Sequence, residues 1–262
     1  MENKRIGMVL GLPAAEYHSG PEVSNTGLGW YIDYSPLHYW RYVRGKIKRS
    51  TKSMDFGTNL HCLLLEPSRF ALEYAKGPDC RRGSKEWIAA LDYYPGKKLL
   101  KPDEFATISE AREAIRESGD KQRWLIDTPG KTEVSFFWTD QATELSCRCR
   151  TDKLIDLADV AVAVDVKSCR DARPHKFRRS MLDYGYYRQA AFYTDGVSMV
   201  LGKPVIFIDL AVESTTLIAV AYAPGGDRLE EARAQISGAL EGIKTCQATG
   251  IWPGYSDDIE EI

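Results

Sequence analysis

The sequence predicts an α/β fold: a mixed β-sheet core flanked by helices, with an N-terminal helical elaboration. Three observations carry that reading. Helical patterns dominate residues 1–125. Over 131–167 the pattern changes to short β-branched and aromatic runs, as in a strand meander. A helical crossover, two more strands and a charged helix then follow. No linker, internal repeat or low-complexity stretch divides the 262 residues. We therefore read 1–262 as one domain, with a mainly helical 1–125, a sheet with helices over 131–225, and a helix with an acidic tail over 228–262.

Each element has its own signal. Ser24-Asn25-Thr26-Gly27 reads as a helix start, and Ser35-Pro36 restarts a helix with proline in its first turn. Met54 to Leu65 reads as a helix that stops at Glu66-Pro67, and residues 68–82 read as irregular. Residues 83–125 alternate helical patterns with a turn at Tyr94-Pro95-Gly96. Thr132 to Trp138 and Leu145 to Leu154 form an expected hairpin around Asp140-Gln141-Ala142, and Val160 to Val166 is a third strand. Residues 174–196 are helical from Pro174 with a break at Gly185. Val205 to Val212 and Leu217 to Tyr222 are strands joined at Glu213-Ser214, and Leu229 to Ala248 is amphipathic. Asp257, Asp258, Glu260 and Glu261 make a solvated acidic tail.

Composition narrows the function classes. Hydrophobic content of 44% and charged content of 27% are ordinary for a soluble globular protein. A net charge of -2 means that any nucleic-acid contact needs local positive charge. The densest basic run, Arg41 to Lys52, holds Arg41, Arg44, Lys46, Lys48, Arg49 and Lys52. There is no apolar run long enough for a membrane span, and the N-terminal apolar patch is too short for a signal peptide. The cytoplasm is the expected location. The six cysteines form no C-x-x-C pair, which argues against zinc or iron–sulfur ligation. Cys147 and Cys149 alternate with Arg148 and Arg150, as on a strand with one buried face.

The chemistry concentrates between Arg150 and Tyr193. Asp165 and Lys167 lie two apart in an apolar run, so a strand points both to one face. Their valine and alanine neighbours describe a strand covered on both faces, where charge is costly unless paired or metal-bound. Asp152 ends the preceding strand-like run, and one hairpin brings it beside Asp165. Two carboxylates and a lysine suit a hard divalent metal, a metal-bound water and phosphodiester hydrolysis. Gln189 and Tyr193, four apart, share a helix face. Alone they read as a polar core pair; downstream of Asp-x-Lys they become candidates for holding the site and touching DNA. A lone histidine such as His61 on an apolar helix is more often a satisfied core residue, although neutral imidazole can ligate a metal.

Together these segments resemble the PD-(D/E)XK nuclease superfamily, and within it the RecE-type (exodeoxyribonuclease VIII) branch related to lambda exonuclease. The resemblance rests on Gly57-Thr58-x-x-His61-x-Leu63-Leu64-Leu65-Glu66-Pro67, Arg150-x-Asp152, Val164-Asp165-Val166-Lys167-Ser168, Asp183-Tyr184-Gly185-Tyr186 and Gln189-Ala190-Ala191-Phe192-Tyr193. Val23-Ser24-x-Thr26-Gly27-Leu28 and Ser35-Pro36 extend it toward the N-terminus. Thr151 stands where the superfamily has proline, and Asp165 where glutamate is commoner.

The resemblance implies a restriction-endonuclease-like fold and assigns roles. Asp152, Asp165, His61 and the Val166 carbonyl would hold Mg2+, with Mn2+ as the alternative. Lys167 would orient or deprotonate the attacking water. Gln189 and Tyr193 would form the branch's Gln-x-x-x-Tyr motif. Glu133 would help shape the site, and Ser24 with Arg44 and Lys46 of the basic run would hold substrate phosphate. The implied activity is processive 5′→3′ digestion of double-stranded DNA ends, leaving 3′ overhangs for phage-type recombination. The implied partners are a RecT-like single-strand annealing protein and copies of the chain in a ring, trimeric or tetrameric. Two rivals remain: a single-strand-specific or RecB-like repair or CRISPR-type nuclease, and a catalytically silent DNA-binding module on the same fold.

Overall fold

Two serines cap the second and third helices of the chain. In the computed structural model, which describes residues 5–47, 54–256 and 258–259 (backbone only at Met54 and Asp55), a short strand β1 (Gly7–Val9) and helix α1 (Ala14–Ser19) precede β2 (Val23–Ser24). Ser24 then caps α2 (Asn25–Ile32), its Oγ accepting from Gly27 N at 3.2 Å. Ser35 caps α3 (Pro36–Val43) in the same way, with proline at the first position. Lys48, Arg49 and Lys52 of the basic run, and Asp257, Glu260 and Glu261 of the tail, lie outside the described residues.

Helix α4 spans Met54–Leu65, where the sequence places it. The stretch expected to be irregular instead forms α5 (Pro67–Glu73) and strand β3 (Tyr74–Lys76). Pro67 ends α4 but also starts α5, since its missing N–H costs nothing in a first turn. After α6 (Lys85–Tyr93), β4 (Lys98–Leu100) pairs with β3 as a separate two-stranded sheet. Helices α7 (Pro102–Glu117) and α8 (Asp120–Asp127) complete the N-terminal half.

The main sheet is mostly antiparallel. It contains β5 (Lys131–Thr139), β6 (Ser146–Asp156), β7 (Ala161–Cys169), β8 (Val205–Glu213) and β9 (Ala219–Tyr222). Helices α9 (Pro174–Asp183) and α10 (Tyr186–Leu201) make the crossover that lets β8 run parallel to β7, and α11 (Asp227–Thr249) closes the fold. The strand order is β1-β5-β6-β7-β8-β9, with β2 parallel to β6.

Strand alternation divides the core between the two faces. Ala161 and Ala163 face α10, whose Ala190 and Ala191 pack into the same cluster with α2 and α11. Val162, Val164 and Val166 face α4, α7 and α8. Asp165 and Lys167 share the parity of Ala161 and Ala163, so both point beneath α10. No described helix is long and apolar enough to cross a membrane.

The contact between α10 and the sheet is close at Gly196, where an added Cβ would run into the Trp138 indole. Gly196→Ala should therefore destabilise the protein by about 1–3 kcal/mol through overpacking. Urea unfolding checks this, and an unchanged midpoint would mean that Trp138 has room to move.

Candidate active site

The site lies where the ladder between β6 and β7 opens. Those strands pair from Asp156↔Ala161 to Lys153↔Val164 and no further. Beyond that point β7 continues beside β8 alone, while β6 takes β2 as its neighbour, at Val23↔Cys147 and Ser24↔Arg148. Asp152 and Asp165 are the next residues at the fork. The Asp152 carboxylate takes the place of the next ladder bond by accepting from Val166 N at 2.8 Å.

Gln189, reaching down from α10, ties the charged pair together. Its Nε2 donates to Asp165 Oδ1 at 2.6 Å, and its Oε1 accepts from Lys167 Nζ at 2.7 Å. Lys167 Nζ also pairs with the other Asp165 oxygen and lies 4.4 Å from the centre of the Tyr186 ring. Burial alone would depress the lysine, but the charges of Asp165 and Asp209 outweigh it and hold its pKa above the ordinary value.

His61 enters from the opposite face on α4. Gly57 lies close to β7, where an added Cβ would come within 3.1 Å of Ser168 Oγ. The imidazole Nδ1 is 3.3 Å from Asp152 Oδ2, and Nε2 is 2.7 Å from the Val166 carbonyl oxygen. With Nε2 donating to Val166, a proton is required on either Nδ1 or Asp152 for the second contact to be attractive. Burial pushes Asp152 up to about 7, with the Asp165 charge adding and His61 opposing.

Glu133 adopts φ 51, a left-handed conformation within β5 that a bulky residue rarely takes, and reaches the same cavity as Asp152, Arg150, Ser24 and Tyr193. Burial raises its pKa, with Arg150 opposing. Tyr193, one turn beyond Gln189, packs edge-on against Phe207 at 5.8 Å. Arg44 and Lys46 do not line that cavity: both are exposed, and Arg44 stacks on Trp40 at 4.1 Å.

The sequence reading passed over three features. Asp209 on β8 is fully buried and is the direct register partner of Asp165, with neither carboxylate oxygen hydrogen-bonded among the described residues. Burial pushes it up to about 8 despite Lys167. Its signal was present, since an acid within Val205 to Val212 invites the argument applied to Asp165. Arg148 is not on an exposed face: it is 4% exposed, bonded to Glu22 at 3.0 Å and packed over Tyr17. The basic stretch over α9, between Arg170 and Arg179, also went unremarked.

The donor set is two carboxylates, an imidazole and a backbone carbonyl, which suits a hard divalent cation with open positions. Among the described residues no three acidic, histidine or cysteine side chains form a ready-made cage. His61, Asp152 and the Val166 carbonyl already meet, whereas Asp165 would have to give up an oxygen now held by Lys167 or Gln189.

Comparison with known proteins bears on the fold. Residues 31–262 match the model of a family described as a PDDEXK-like domain of unknown function, DUF3799. The solved structure of a candidate exonuclease from Eubacterium rectale is similar at a TM-score of 0.64 and 12% identity, over 93% of this chain and 87% of that one. A second structure, SSO0001, covers 84% of this chain and 75% of its own at a TM-score of 0.36 and 12% identity, too low to bear on the fold. No curated protein matches the sequence.

The buried carboxyls make a stability prediction. Asp152 and Asp209 rise from an ordinary 3.8 to about 7 and about 8 in the fold. Between roughly pH 4 and 8 the folded protein then holds more protons than the unfolded chain, so these groups make metal-free stability fall as pH rises. Melting temperatures in EDTA should drop across that window, less steeply in Asp209→Asn. Equal slopes for the two proteins would show that Asp209 is not a buried proton holder.

Proposed function

Because the chain belongs to the PDDEXK-like DUF3799 family, we propose that it is a divalent-metal-dependent exodeoxyribonuclease that digests double-stranded DNA from its ends. The observation that carries the hydrolytic reading is the Asp152, Asp165 and Lys167 fork, with Lys167 held by Gln189. A charged lysine and two carboxylates buried at a strand end are costly unless paired or metal-bound, which is the arrangement a hydrolytic site needs. A bound divalent ion supplies Lewis-acid stabilisation of the phosphate and an activated water. The protein's own part is positional. Asp152, Asp165, His61 and the Val166 carbonyl hold the ion, Mg2+ by preference for hard oxygen ligands, with Mn2+ able to replace it. Lys167 Nζ steadies the nucleophilic water and the charge that develops on phosphate oxygens. Gln189 keeps that ammonium in place, and Tyr193 and Glu133 wall the cavity.

Action on DNA ends, 5′→3′ polarity and processivity rest on the resemblance of the motifs to RecE-type exonucleases. So do the ring-shaped homo-oligomer, the RecT-like annealing partner and the role in phage-type recombination. A chain of net charge -2 fits a ring, because topological enclosure replaces a strong electrostatic grip. Digestion of end-labelled linear duplex with Mg2+, with phosphorylated and unphosphorylated 5′ ends compared, tests the reading. Loss of covalently closed circular DNA at the same rate would exclude an exonuclease.

Two variants probe the chemistry. Asp165→Asn and Lys167→Met should each lower the hydrolysis rate by about 10² or more, because each removes charge that acts on the reacting phosphate or water. Rates near wild type with unchanged melting would remove the assignment. His61→Ala should raise the Mg2+ concentration needed for half-maximal activity more than it weakens DNA binding. An unshifted Mg2+ titration, with stability alone reduced, would return His61 to the core.

A further inference from the structure

A second groove leaves the site on the far side of Lys167. Tyr186, whose ring lies under the Lys167 ammonium, shares a cavity with Ser168, Arg170, Ser180 and Tyr184. Arg170, Ser180 and Tyr184 also line the adjoining cavity, which continues along α9 over Arg173, Lys176 and Arg179. Lys176 and Arg179 lie three apart on one face of the helix, with Arg173 at its N-cap. Phe177 and Met181 are buried beneath the helix, which leaves the basic residues outward. Between Arg170 and Asp183 the arginine and lysine residues outnumber the aspartates, in a chain of net charge -2.

The two sides of the site differ in how far their cations are already committed. On the side of Ser24, Arg148 is bonded to Glu22, and Arg150 to Ser135 Oγ and the Leu12 carbonyl. On the α9 side Arg173 is held by Asp171, and Arg179 meets Asp183 at 3.6 Å. Arg170 and Lys176 have no ion pair among the described residues, and both are exposed. Beside them Tyr184 is 63% exposed, with its ring 5.7 Å from that of Tyr186. Two uncommitted cations, Arg170 and Lys176, along a groove with the exposed Tyr184 ring at its inner end match the requirements of a strand with unstacked bases. Phosphates meet the cations, and a base can lie on a ring only if it is not enclosed in a duplex.

We propose that Arg170, with Lys176 and Arg179 on α9 and the ring of Tyr184, is the track for an unpaired nucleic-acid strand leading to Asp165 and Lys167. The proposal deepens the nuclease reading and rests on it.

Fluorescence anisotropy of a labelled oligothymidine, with full-length protein in EDTA to prevent cleavage, tests the track across a salt series. Arg170→Gln/Lys176→Gln/Arg179→Gln should bind more weakly and flatten the log–log salt dependence by about 0.7 for each phosphate that is no longer neutralised. Tyr184→Ala should weaken binding roughly fivefold or more with the salt slope kept. Arg228→Gln, on α11, is the control for a change of surface charge. Unchanged melting temperatures show that the variants fold. Wild-type affinity and slope in both the triple variant and Tyr184→Ala would overturn the track. Cleavage of DNA by wild type with Mg2+ is scored separately. If wild type cleaves nothing while the variants lose binding, the nuclease reading falls and the track stands.

Discussion

Everything at this site depends on pairing Lys167 with Asp165 beneath a helix. An isolated ion pair out of water is at best neutral for stability, and removing one partner leaves an uncompensated charge. Gln189 changes the balance by offering a donor to one partner and an acceptor to the other. That demand fixes more than one side chain. It places α10 over the end of β7, and small residues on both elements, Ala161 and Ala163 on the strand and Ala190 and Ala191 on the helix, belong to one buried cluster. Asp209 adds to the strain, since a third buried carboxyl has no hydrogen-bond partner among the described residues.

The fork between β6 and β7 turns this buried charge into an accessible site. Within a continuous ladder, Val166 N would bond a β6 backbone carbonyl instead of the Asp152 carboxylate. Because the strands part after Lys153↔Val164, Asp152 is free to accept from Val166 N, and the Val166 carbonyl turns to His61. Two helices on opposite faces thus reach one point, α10 with Gln189 and α4 with His61. The fork also has two exits. One runs past Arg150 and Ser24, where the arginines are already bonded; the other runs past Tyr186 to the exposed cations of α9.

Much of the fold and part of the site were legible from local sequence. Strand alternation and flanking turn residues gave the β5–β6 hairpin, β7, β8 and β9, because those signals depend on near neighbours. Asp165 and Lys167 were legible for the same reason: charge two residues apart in a valine-rich strand is anomalous on its own. Short strands were not legible. β1, β2, β3 and β4 are two or three residues long, exist only through their partners, and carry too little pattern to detect.

What only the tertiary structure decided is convergence. No spacing in the chain says that His61 meets Val166, that Arg148 is buried against Glu22, or that Asp209 stands in register with Asp165. Each of these pairings joins segments distant in sequence, so it depends on which strands pair and where a ladder stops. The basic stretch over α9 was visible as charge, yet charge alone does not distinguish a solvated face from one beside a site. The sequence by itself determined which residues are costly to bury. The paired strands and packed helices decided where those costs are met, because satisfying a buried charge requires a partner in space rather than in order along the chain.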